Sequence, residues 1–140
     1  MLTDDVISLY KKFRLLNYRH MFGKIREKDG SLSATEAFAT DVIYLLGNPT
    51  VSQLADTLGI SQPNATYKAN NLSAKGYVTK TVSEDDRREC RLTVAERFHL
   101  YYDNANAPIQ KAVEKLSTRY TPEEMELFGR MLRSLNEIIG

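Results

Sequence analysis

The chain has 140 residues, with 19 Lys and Arg against 18 Asp and Glu, a formal net charge of +1, one cysteine and two histidines. That is one domain's worth of sequence, and so balanced a charge means that any face for a polyanion must be local. One cysteine excludes an internal disulfide framework. Two distant histidines, His20 and His99, argue against a Cys/His zinc cage, so no metal, cofactor or catalytic residue is assigned and a cytoplasmic location is expected.

The N-terminus has no basic start followed by an apolar stretch, and no run approaches a bilayer span, so neither export nor membrane insertion is expected. From Asp4 to Lys28 the pattern is helical, with Leu2, Val6, Leu9, Phe13 and Leu16 forming an apolar seam. Its later half carries Arg14, Arg19, Lys24, Arg26 and Lys28. These cations fit a phosphate-contacting flank and equally a solvated helix end complementing its dipole. Gly30 and Ser31 break the helix, and Ser33 with Glu36 makes a capping box for the next. There Phe38, Val42, Ile43, Leu45 and Leu46 are expected to form an apolar face that supports the two succeeding helices from behind. Tyr44 reads as a core or surface aromatic.

Thr50 and Gln53 form a second capping box, and Val51, Leu54, Ala55 and Leu58 recur at helical spacing before Gly59, a residue suited to a left-handed C-cap. Beyond the turn Ser61 is an N-cap candidate and Pro63 sits in the first turn of a second helix. Its inward positions are Ala65, Ala69, Leu72 and Ser73, small enough at the start for a close helix crossing. Its outward positions are Gln62, Asn64, Thr66, Tyr67, Lys68, Asn70 and Asn71, and no carboxylate occurs from Ser61 to Lys75. Amides, hydroxyls and a cation pair with base edges and phosphates in a major groove. An ordinary solvated helix would mix in acids, so the pattern favours a polyanion partner.

Gly76 ends that helix. Tyr77 to Val82 then reads as a strand, Ser83, Glu84, Asp85 and Asp86 as a turn, and Arg88, Cys90, Leu92 and Val94 alternate with Glu89, Arg91 and Thr93 on a return strand. Asp85 and Asp86, beside arginines, read as a solvated turn rather than an acid/base pair. Cys90 reads as a small buried hydrophobe. Past the hairpin, Phe98, Tyr101, Tyr102, Ala105, Ile109, Ala112, Val113 and Leu116 keep a helical pattern that Pro108 is expected to kink. Thr121, Pro122 and Glu124 start a last helix striped by Met125, Phe128, Leu132, Leu135 and Ile139, widened by Met131 and Ile138.

These motifs resemble the MarR family of winged-helix transcriptional regulators. The resemblance rests on the helix-turn-helix from Val51 to Val78 with its Leu72-Ser73-x-Lys75-Gly76-Tyr77 exit, on the wing Asp86-Arg87-Arg88, and on Leu92-x-Val94 leading to a long helix. It covers nearly the whole chain. One departure is that the Leu-Thr pair of the family pattern, counted from Asp86, falls on Val94 and Ala95, which removes an N-cap threonine from the next helix.

The expected fold is mainly α with a small β-hairpin wing. It would form a single domain over residues 1–140, with a winged-helix part over about 33–95 and dimerisation helices over about 1–30 and 96–140. The resemblance implies a homodimeric DNA-binding regulator, a repressor on a palindromic operator released by a small-molecule effector. Its DNA contacts would come from Ser61, Gln62, Asn64, Thr66, Tyr67, Lys68 and Asn71 in the major groove and from Asp86, Arg87 and Arg88 on the wing. Arg88 would enter the minor groove, oriented by Asp86. No Gly-rich phosphate loop, nucleophile elbow or metalloprotease helix is present, so an enzyme is not expected. The alternative is a winged helix that binds another protein instead of DNA.

Overall fold

The computed structural model describes residues 1–25, 33–82, 89–96 and 99–140, with the backbone alone for 22–25 and 99–101. Several sequence expectations lie outside the described residues. These are the hairpin turn at Ser83, Glu84, Asp85 and Asp86, the arginines Arg87 and Arg88, the break at Gly30 and Ser31, Arg26, Lys28 and Phe98, and the side chains of Lys24, His99 and Tyr101.

The described elements are α1 (Leu2–Ile25), α2 (Ala34–Leu46), α3 (Val51–Leu58), α4 (Gln62–Ala74), β1 (Val78–Val82), β2 (Cys90–Val94), α5 (His99–Ala105), α6 (Ala107–Ser117) and α7 (Pro122–Ile139). This is a mainly helical chain with one antiparallel hairpin, paired from Val78↔Val94 to Val82↔Cys90. It divides into two compact units, Met1–Tyr102 and Asp103–Gly140.

In the first unit local chemistry sets the helix boundaries. Ser33 and Glu36 close a reciprocal capping box at the start of α2, and Thr50 and Gln53 close another at the start of α3. Each box satisfies two N–H groups that a helix start leaves open. Gly59, at φ 67° and ψ 36°, ends α3 in the left-handed region, where a side chain would be strained. Ser61 accepts from the Asn64 N–H and starts α4.

The core lies where α3, α4 and the base of the hairpin meet. Leu54, Ala65, Ala69, Leu72 and Leu92 are essentially inaccessible, with Val51, Ala55, Tyr77, Val78 and Val94 around them. The alanines of α4 let its backbone approach α3, as the small-then-large pattern predicts. Ile43 caps this core from α2, together with Ala37, Ala39 and buried Thr40, whose hydroxyl bonds the Glu36 carbonyl at 2.8 Å.

The expected supporting face of α2 needs correction. Of Phe38, Val42, Ile43, Leu45 and Leu46, only Ile43 is buried and Val42 half-buried, while Leu45 is 71% exposed. The small residues of the other register make the contact, because a helix packed close to its neighbour needs low side chains at the seam. Phe38 meets the edge of Tyr18 of α1, with ring centroids 6.4 Å apart, and Tyr44 stacks on buried Tyr102 at 4.0 Å.

The chain after the hairpin is also corrected at Pro108. Rather than one kinked helix, α5 and α6 are separate, with Asn106 between them and Pro108 in the first turn of α6. A proline cannot donate to the preceding turn, and here the ladder is interrupted at Asn106 and restarts at Ala107. In the second unit Thr121 and Glu124 cap α7 reciprocally, as the sequence predicts. Among the described residues no helix is long and apolar enough to cross a membrane.

Candidate nucleic-acid interface

Helix α4 presents Gln62, Asn64, Tyr67, Asn70 and Asn71 as exposed residues, with Thr66 and Lys68 beside them. Ala65, Ala69 and Leu72 take the opposite side into the core, so the inward and outward assignments from periodicity describe the helix as it packs.

The polar residues differ in what they have left to offer. Ser61 is occupied in capping, accepting from Asn64 N at 3.2 Å. Thr66 donates its hydroxyl to the Gln62 carbonyl at 3.0 Å, and the Ser52 hydroxyl of α3 donates to Gln62 Oε1 at 3.1 Å. Asn70 Oδ1 accepts from the Lys80 ammonium on β1, which ties the middle of α4 to the hairpin. Among the described residues the side chains of Asn64, Tyr67, Lys68 and Asn71 make no hydrogen bond or ion pair and remain available to a partner.

Cations around the face are sorted in the same way. Lys75, at the C-cap of α4, places Nζ 2.8 Å from both carboxylate oxygens of Glu36. It hydrogen-bonds Oε1, while Oε2 lacks a well-aligned donor and is balanced by charge alone. Burial pushes the Glu36 carboxyl up, but the Lys75 ammonium and the backbone and side chain of Ser33 together outweigh it and hold the group below its ordinary value.

On β2, Arg91 donates to the Asn48 carbonyl at 2.8 Å and pairs with Glu89 at 2.6 Å. Thr93 donates to Asn48 Oδ1 at 2.9 Å, and Leu92 N–H bonds the Pro49 carbonyl at 2.8 Å. Thr50 and Arg91 add an isolated antiparallel bridge. The segment before α3 therefore runs as a third, edge-like partner of the hairpin, and hairpin and helix-turn-helix are locked by backbone as well as side chains.

Sequence reading missed Ser52, Asn48 and the Asn70–Lys80 tether. Their partners lie in other elements, and no local spacing marks them. Cys90 is half-buried against the core beside the α3–α4 cleft. His20 lies near Asp41, where burial raises the Asp41 carboxyl while the Asn17 amide and His20 pull it back in part. Among the described residues no cluster of His, Cys, Asp and Glu could hold a metal ion.

A family model described as MarR family matches residues 41–89, from within α2 to the residue before β2. Transcriptional repressor MprA of Escherichia coli K12 is 27% identical over 84 residues, 60% of this chain and 48% of that protein. The chain thus spans about half the length of the curated relatives it matches. Among solved structures, Streptococcus pneumoniae FabT in complex with DNA aligns over 99% of this chain and 94% of that one, with a TM-score of 0.59 and 24% identity. An E. coli MarR mutant complexed with operator DNA aligns over 96% and 98%, at 0.51 and 16% identity. At these identities the structures establish the fold.

Proposed function

We propose that this chain, which matches the MarR family model over residues 41–89, is a winged-helix member of that family and a sequence-specific DNA-binding transcriptional repressor. The observation that carries the reading is the outer face of α4. It has no carboxylate from Ser61 to Lys75 and displays the unpartnered amides of Asn64 and Asn71 beside the ammonium of Lys68. Such a face repels no phosphate, and its amides and ammonium suit the base edges of a major groove together with the flanking backbone. The naming of MprA as a repressor, and the DNA in the FabT and MarR complexes, support the same reading.

In this reading Gln62, Asn64, Thr66, Tyr67, Lys68 and Asn71 face the major groove, with Ser61 holding the helix start. Asp86, Arg87 and Arg88 belong to the wing, with Arg88 in the minor groove. The protein acts as a homodimer, because α1 and α7 each leave an apolar stripe in solvent. Val6, Leu9, Phe13 and Leu16 are exposed on α1, and Phe128, Met131, Leu132 and Leu135 on α7. Two-fold symmetry would set two α4 helices roughly 34 Å apart over a palindromic operator. Release by a small-molecule effector completes the regulatory reading.

The test is to select the duplexes that the protein retains from its own genome and to measure their binding by fluorescence anisotropy across a salt series. Affinity should fall steeply, with a log–log slope of about −0.9 per phosphate neutralised. Absent or salt-independent duplex binding would refute the proposal and leave a protein-binding winged helix in its place.

A further inference from the structure

We infer that Ser52 determines which base edge Gln62 accepts, making Gln62 a hydrogen-bond donor aimed at guanine; this rests on the reading of α4 as the DNA-facing helix. Ser52 is the second residue of α3 and Gln62 the first of α4, and the turn at Gly59 brings them together. The Ser52 hydroxyl donates to Gln62 Oε1 at 3.1 Å.

A free glutamine amide offers an acceptor and a donor side by side, which is the complement of the N6 donor and N7 acceptor of adenine. With Oε1 engaged by Ser52, the planar amide turns its NH2 away from α3, and both side chains are exposed, so the NH2 is open to a partner. Guanine presents two acceptors, N7 and O6, to the two hydrogens of that NH2. Adenine would need its N6 donor to reach the second lone pair of an oxygen that Ser52 already holds toward α3.

The other polar groups of the α3–α4 cleft do not compete for the amide. Thr66 donates to the Gln62 backbone, Lys80 to Asn70, and Glu89 is held by Arg91. Ser52 thus acts through Gln62 as a positioning residue, and it adds to the base-reading assignment a choice between purines.

The experiment uses the full chain, as wild type, Ser52→Ala, Ser52→Thr and Gln62→Ala. Each is taken through selection on random duplexes, and the selected site and its single-base variants are then titrated by anisotropy. Wild type should prefer guanine at one position per half-site, and Gln62→Ala should erase preference there alone. Ser52→Ala should shift that position about tenfold toward adenine, because the released amide can pair in the bidentate way. Ser52→Thr keeps the hydroxyl and should keep guanine, an outcome that a merely structural role for residue 52 does not require.

Adenine preferred by wild type at the Gln62-dependent position, or Ser52→Ala with wild-type preference there, would overturn the inference and leave DNA recognition standing. A motif unaffected by Gln62→Ala would do the same. Wild type that binds no duplex at all would overturn the proposed function, and this inference with it.

Discussion

Replacing Glu36 by glutamine tests how the C-terminal end of α4 is held. Glutamine can still close the capping box with Ser33, so the change removes charge while leaving the local hydrogen bonds possible. The Glu36 side chain is 21% exposed and its partner Lys75 44%, with Nζ 2.8 Å from the carboxylate. A pair so placed is worth more than the median surface ion pair, and it lacks the heavy desolvation of a buried one. Its loss should cost about 1 kcal/mol, and loss of a negative charge at the start of α2 adds about 0.3 to 1 kcal/mol. The sum, about 1 to 2 kcal/mol at neutral pH, corresponds to a fall in Tm of roughly 3 to 8 °C for a chain of this size.

The pH dependence has a definite sign. The folded carboxyl lies below its ordinary value, so its contribution is present above the unfolded pKa, near pH 4.5, and is lost as pH falls through the folded one. Urea denaturation of wild type, Glu36→Gln, Lys75→Gln and the double variant from pH 7 to pH 3 measures the pair directly, at low salt to avoid screening. Equal stability at pH 7, or a difference that widens on acidification, would refute the reasoning.

Asp41→Asn should behave in the opposite sense. Burial raises the Asp41 carboxyl, so stability present with the neutral acid below about pH 4 is lost as pH rises, and the variant should gain up to about 1 kcal/mol at pH 7, discounted for solvent screening, and nothing at pH 3 in a denaturation series. Asn64→Ala should relax preference at particular base pairs in a duplex selection, whereas Lys68→Ala should weaken all duplexes alike and reduce the salt slope by about 0.9 if it neutralises one phosphate. Arg88→Ala should leave the fold and the sedimentation behaviour of the wild type intact yet lower the proposed DNA affinity, with lysine rescuing only in part for want of the planar fork. Phe128→Glu, placed on the exposed apolar stripe of α7, should give monomers or aggregates in sedimentation; an unaltered dimer would remove that stripe from the interface.

The helix starts at Ser33, Thr50, Ser61 and Thr121, the left-handed stop at Gly59 and the inward register of α4 were legible in the sequence because each depends on residues within one turn of one another. A capping hydroxyl finds its N–H three residues on, and an α-helix repeats its faces every 3.6 residues, wherever the rest of the chain goes. The alternation of Leu92 and Val94 likewise named the buried side of β2 without reference to its partner.

What tertiary structure alone decided depends on atoms distant in sequence. The α2 seam went to Ala37, Ala39 and Thr40 rather than to its larger apolar residues because close packing with α3 and α4 selects side chains by height as well as hydrophobicity. Pro108 ended one helix and opened another, a choice that local chemistry leaves open between kink and break. The division of the α4 face into engaged and free groups came from partners in α3 and β1. Composition shows that Gln62, Asn64 and Asn70 are amides, whereas only the fold directs Ser52 to the first, Lys80 to the third, and no described side chain to the second. A hydrogen bond between elements is fixed by their relative placement, which the buried core around Leu54, Ala69 and Leu92 sets collectively and no single stretch of sequence encodes.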